Sequence, residues 1–120
     1  MNSLTTEYSI NNLNSSNIME VIGKKVIIRA DRAGVFFGTL EQKRETPAGV
    51  EVELKDSRRI WYWDGAASLS QLATEGTKRP EKCKFTVTVP QHMVMQVIEI
   101  IPCSEEAVKS IESVKVWRNS

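Results

Sequence analysis

The chain lacks most of what marks the common functional classes. No apolar run approaches the length needed to span a bilayer, and the first residues show no basic, apolar and small segments of a signal peptide. The expected location is therefore the cytoplasm. Formal net charge is only +1 over 120 residues. That excludes the broad basic field of a general duplex-DNA binder and leaves anion recognition to a few placed side chains. Cysteine is limited to Cys83 and Cys103 and histidine to His92. Three widely spaced candidates do not make the four-ligand set of a metal site, so no metal or cofactor is expected. Two isolated thiols in an intracellular chain are expected to be reduced and packed.

Catalytic patterns are also missing. No G-x-S-x-G or Walker A pattern occurs. His92 sits beside Pro90 with no motif around it, and Asp64 near Ser68 serves as readily for a turn or helix cap as for acid–base work. The chain is not expected to be an enzyme.

What is present fits one domain with an ordinary apolar fraction of 41%. Residues 1–20 form an expected mobile arm: "MNSLTTEYSINNLNSSN" holds five Asn and four Ser and too little apolar surface to offset its ordering entropy. A single ligand-binding domain is expected over residues 21–120. "KKVIIRA" reads as a strand with Val26 and Ile28 on one face and Ile27 and Arg29 on the other. "GVFFGTLEQK" follows, with Gly34 for the turn and Gly38 for a bend or bulge. "GVEVELK" alternates, placing Val50, Val52 and Leu54 together, and "RRIWYW" is expected as a separate fourth strand. Leu69, Leu72 and Ala73 then recur at helical spacing until Gly76, a C-cap. "KFTVTV" is expected to turn Phe85, Val87 and Val89 inward and to end at Pro90. The apolar run "HMVMQVIEII" is ambiguous in its first half, while "VIEII" favours a strand. Ser104 reads as the N-cap of a second helix, with Glu105 and Glu106 in its first turn. The expected fold is α+β and mainly β: an antiparallel, small-barrel-like meander with two short helices.

Binding chemistry concentrates in "DSRRIWYWDGAASLSQLATEG". Arg58 and Arg59 can grip phosphate bidentately. Trp61, Tyr62 and Trp63 offer faces for a base. The small residues from Gly65 to Ser68 lead a helix start at which an anion can approach the backbone. Arg29, Arg32 and Arg118 repeat the pairing of arginine with neighbouring aromatics, although each alone also reads as a salt bridge to a nearby acid. Methionine-rich Met93 to Ile101 is either a core strand or a surface for self-association.

The string "RRIWYWDGAASLSQLATEGT", with "KCKF" and "VIEIIP" after it, resembles the phage-encoded anti-Thoeris sponge family over roughly Gly23 to Arg118. The resemblance implies a protein that binds cyclic ADP-ribose isomers made by TIR-domain defence proteins and holds them without cleavage. It also implies capture of cyclic oligonucleotides by some members, and homo-oligomers with ligand sites between subunits. Arginines and an aromatic residue are the implied contacts, and chemistry together with the resemblance selects Arg58, Arg59, Phe85 and Arg118. Arg29, Trp61, Trp63 and Ser68 complete the expected ligand-binding set on chemistry alone. Two rival expectations are a single-stranded RNA-binding small barrel and a phage structural or adaptor protein in which the tryptophans are core.

Overall fold

A computed structural model describes residues 20–120; the arm expected over residues 1–20 lies, apart from Glu20, outside them. Five antiparallel strands form one sheet: β1 (Lys25–Ala30), β2 (Gly34–Thr46), β3 (Gly49–Tyr62), β4 (Lys84–Phe85) and β5 (Val89–Pro102). Among the described residues, two complete short helices, α1 (Leu69–Glu75) and α2 (Glu105–Glu112), accompany the sheet, with a 3-10 turn at Pro80–Lys82. β1 pairs with β2, β2 with β3, β3 with β5, and β5 with β1, so these four strands close a ring. β4 extends the far end of β3. The mainly-β, barrel-like expectation is met.

Closure gives the domain two cores, one on each face of its central strands. Val26, Ile28, Ala30, Phe36, Leu40, Val52, Leu54, Val94 and Val97 fill the ring. Ile27, Phe37, Ile60 and Phe85 point to the other side of the strands, where α1 and α2 cover them with Leu72, Ala73, Ala107 and Ile111. Alternation along an extended chain assigns neighbouring residues such as Phe36 and Phe37 to different cores. This is why "KVIIRA" reads as nearly continuous apolar sequence: β1 is buried on both faces.

Two departures from the expected strands share a cause. The third and fourth expected strands are one strand, β3, and the apolar run after Pro90 belongs to a single 14-residue β5. Asp56 (φ 53°) and Gln96 (φ 57°) adopt the left-handed region, and the pairing register slips beside them. The slip at Asp56 absorbs a phase change without a turn, so Leu54 and Ser57 both face inward. Gly38 lies opposite: a Cβ there would meet the Lys55 carbonyl oxygen at 3.1 Å and the Ser57 Cα at 3.2 Å. Pro90 does not end a strand; it is the second residue of β5, where a missing N–H costs the ladder little. Of the three residues expected to face in from "KFTVTV", only Phe85 does so, because β4 stops there and leaves Val87 and Val89 exposed.

Both helix starts follow the expected chemistry. The Ser68 hydroxyl accepts from the Gln71 N–H at 3.1 Å, and the Ser104 hydroxyl from the Ala107 N–H at 3.0 Å. The helices lock together where α1 ends: Gly76 has φ 80°, and a Cβ there would fall within 2.4 Å of the Ser110 side chain. The substitution Gly76→Ala should therefore lower stability by more than about 1 kcal/mol, since both the backbone region and the contact oppose it. Urea denaturation followed by circular dichroism measures this.

Candidate functional site

Arg58 and Arg59 are neighbours in sequence with opposite fates. Arg58 is 7% exposed, on the face of β3 that carries Ile60. Its guanidinium has five N–H groups and meets five backbone carbonyls. Nε donates to Thr86 O at 3.0 Å. One terminal nitrogen donates to Val114 O at 3.0 Å and more weakly to Ile111 O at 3.5 Å. The other donates to Phe85 O at 3.1 Å and Lys115 O at 3.3 Å. Burial pushes its pKa down, but a guanidinium stays charged, and these carbonyls compensate the desolvation. The expected phosphate-gripping role of Arg58 is therefore corrected: its donors are engaged in holding β4 and the segment after α2. Phe85 is corrected likewise. Its ring is fully buried beneath the Arg58 guanidinium, 5.5 Å from the ring centroid, and offers no face to a base.

The other expected contacts divide. Trp63 is half-buried against the helix-side core and donates its indole N–H to Ala66 O at 3.2 Å. Ser68 is committed to capping α1, and the nearby Ala67 N–H is taken by Gln71 Oε1 at 2.7 Å, so the helix start is closed by its own side chains. Arg29 pairs with Glu99 across the β1–β5 ladder at 2.9 Å, both exposed. Arg59 is exposed, with its guanidinium 4.8 Å from the Phe36 ring centroid at one end of the ring of strands. Trp61 is 63% exposed, a large apolar area that the fold leaves in water.

Trp61 is not alone there. Trp117, itself 45% exposed, stands beside it with ring centroids 6.1 Å apart and planes inclined by only 13°. The Lys84 ammonium lies 5.5 Å from the Trp117 ring and 6.0 Å from the ring of Tyr62, which pairs with Lys84 across β3 and β4. Arg59 lies two residues before Trp61 on β3, but the pairing register slips between Ile60 and Tyr62, so alternation does not fix the two side chains on one face. Arg118, also exposed, follows Trp117 directly. A cleft of about 370 Å³, lined by Pro80, Cys83, Lys115, Val116 and Trp117 among others, opens next to the second indole. The result is an exposed aromatic surface with cations at its edge.

Burial and exposure are linked at this point. The terminal segment reaches Trp61 because Arg58 holds the Val114 and Lys115 carbonyls, Val116 bridges Phe85 in parallel, and the Trp117 N–H donates to Phe85 O at 2.9 Å. Trp117 and Lys84 were missing from the expected contacts, whereas Tyr62 was read as a face for a base but left out of the final set. The available signal was weak: Trp117 adjoins Arg118, and Lys84 precedes a strand residue, but nothing in the spacing pairs position 61 with position 117.

Elsewhere the sequence singled out His92. Its Nδ1 lies 3.1 Å from the Ser57 hydroxyl, and its ring meets Phe36 edge-on at 5.0 Å. Ser57 is sealed at 1% exposure, which removes it from contact with any substrate. Burial, and secondarily the Arg59 charge, hold the imidazole below the usual histidine range. Both cysteines are free, and burial pushes the Cys103 thiol up to about 12.

Residues 23–111 match the model of DUF6948, a domain of unknown function. The chain belongs to the DUF6948 family. The matched span holds the closed ring, the first helix, all but the last residue of the second, and Trp61, and ends before Trp117. No curated protein and no solved structure matches the chain. Among the described residues of this DUF6948 domain, no helix is long and apolar enough to cross a membrane.

Two outcomes follow for the buried polar groups. Replacing Arg58 by Met should cost about 3–5 kcal/mol in denaturant unfolding, because several buried carbonyls lose their partner, with Arg58→Lys intermediate. For His92, a folded-state pKa below the unfolded value of about 6.5 means that the unfolded chain binds the proton first. Its contribution is intact above that value and is lost as pH falls through it toward the lowered one. The melting temperature should therefore drop between pH 7.5 and 5, and His92→Gln should flatten that dependence.

Proposed function

We propose that this domain is a non-enzymatic sink for a compact nucleotide signal of the cyclic ADP-ribose type, acting in the host cytoplasm to blunt TIR-based defence. The observation that carries the reading is the exposed, near-parallel Trp61–Trp117 pair with Lys84 at its rim. Flat indole faces suit a base, with stacking worth about 1–3 kcal/mol per base, and the cations suit its phosphates. Arg59 and Arg118 remain as additional phosphate partners, whereas Arg58 acts by holding Trp117 in place. The resemblance of the "RRIWYWDGAASLSQLATEGT" block to anti-Thoeris sponges supplies the ligand class. Exposed Met93, Met95 and Ile98 on β5 provide apolar surface for the self-association that the same resemblance implies.

A second reading, single-stranded RNA binding, draws on a separate observation. Lys78, Arg79, Lys82 and Lys84 cluster within seven residues leading up to the platform. A backbone-tracking protein would bind oligonucleotides with steep salt dependence, whereas one small ligand engages few cations.

Calorimetry with a cyclic ADP-ribose isomer should give saturable binding at micromolar protein. Denaturing the complex should return the nucleotide chemically unaltered. Absence of binding would eliminate this ligand, an altered product would indicate an enzyme, and salt-sensitive oligonucleotide binding in its place would favour the RNA reading.

A further inference from the structure

We infer that two copies of this chain join edge to edge through β5, with their Val89–Met95 segments antiparallel about a two-fold axis. The inference does not depend on the nucleotide reading. It gives the self-association named there a strand, a symmetry and a partner, which is a second copy.

Unequal strand lengths create the edge. β1 has six residues and β5 fourteen. β5 pairs with β3 from Val89 to Val97, but with β1 only from Val97 to Pro102. At Gln96 the outer side is capped by the Asp31 N–H, which donates to its carbonyl at 2.9 Å. From Val89 to Met95 that side meets no other strand among the described residues. β2 is in the same position, because β1 leaves it at Thr39 and the outer side runs on from Glu41 to Thr46. The ring is thus closed by β1 at one end and open between β2 and β5 at the other.

These two open edges are built differently. That of β2 carries Glu41, Lys43, Arg44 and Glu45, with Lys43 and Glu45 paired at 3.0 Å. Charges of this kind keep a free edge from pairing with another chain. The edge of β5 has none, since no Asp, Glu, Lys or Arg occurs from Phe85 to Ile98. Pro90 removes one donor at the start of the strand, and the edge beyond it is unguarded. Met93 and Met95 are exposed there, the second at 62%.

A second copy suits this edge. Self-pairing sets no like charges opposite one another, because neither strand carries any. Beside Met93, Arg44 already holds Glu51 and Glu53 at 3.0 Å each and lies 3.7 Å from the Met93 sulfur. A two-fold axis perpendicular to the sheet keeps the same face on the same side in both copies, so the methionines of one pack against those of the other. The arrangement also closes, with each copy spending its uncharged edge on the other. Pairing β5 with a neighbour's β2 would instead set a charged edge beside an apolar one and leave free edges at both ends of a growing chain.

The test uses the full chain without nucleotide, with sedimentation equilibrium and amide hydrogen exchange read together. The native chain should associate at micromolar concentration, and alternate amides between Gln91 and Met95 should exchange slowly. Met95→Lys, which adds the missing guard at an exposed position, should weaken association and speed that exchange by about tenfold or more, with an unchanged circular dichroism spectrum. Met95→Leu and Trp61→Ala should associate like the native chain. A native chain that stays monomeric overturns the inference; if its β5 amides are nevertheless protected, the edge belongs to residues 1–19 of the same chain. Assemblies that lengthen steadily with concentration overturn the two-fold and indicate β5-to-β2 pairing. Association lost in Trp61→Ala but kept in Met95→Lys moves the interface to the aromatic surface. None of these results bears on nucleotide binding, which calorimetry tests separately.

Discussion

A single buried guanidinium holds one end of this domain together. Arg58 is charged, nearly sealed from water, and engaged through all five of its N–H groups with carbonyls of Thr86, Phe85, Ile111, Val114 and Lys115. A buried charge is tolerated when its donors are satisfied, and carbonyl oxygens that would otherwise be stranded gain a charge-assisted bond in return. The arrangement joins three pieces of chain far apart in sequence: β3, the short β4 and the segment after α2. Lysine could not replace it, having three donors on one point rather than five across a planar fork. Because the segment after α2 carries Trp117, the exposed pair of indoles depends on a residue that neither indole touches.

The rest of the architecture follows from closing a small sheet on itself. Four strands in a ring enclose one core, and the outward faces of β1, β2 and β3 need a second, which the helices supply. The helices cover one side of the ring only. On β5, Met93, Met95 and Ile98 remain exposed, as does the Trp61–Trp117 surface. These two areas are the ones on which the proposed ligand binding and self-association would draw.

The adjacent arginines illustrate how one backbone feature distributes chemistry. Asp56, in the left-handed region, shifts the alternation of β3 by one residue. After that shift, Ser57 and Arg59 share one face and Arg58 and Ile60 the other. Arg58 thereby enters the helix-side core as a structural clasp, and Arg59 stays at the surface beside the Phe36 ring. Without the bulge the two would exchange roles.

Local pattern in the sequence was sufficient for the strands of "KVIIRA" and "GVEVELK", the serine caps at Ser68 and Ser104, the glycine stop at Gly76 and the mainly-β class. Each depends on interactions among residues a few positions apart: alternation, a hydroxyl reaching its own helix, a backbone angle only glycine adopts easily. The stretch around Trp61 was also legible as one in which arginines and aromatics gather. Tertiary structure alone decided which of its members reach the surface. Phe85 and Arg58 were indistinguishable from ligand contacts until the ring closed and buried them, and Trp117 met Trp61 only through a clasp that spans more than fifty positions. Alternation records which residues share a face; whether that face meets a helix, a second strand or water is set by contacts between distant segments, which no local pattern encodes.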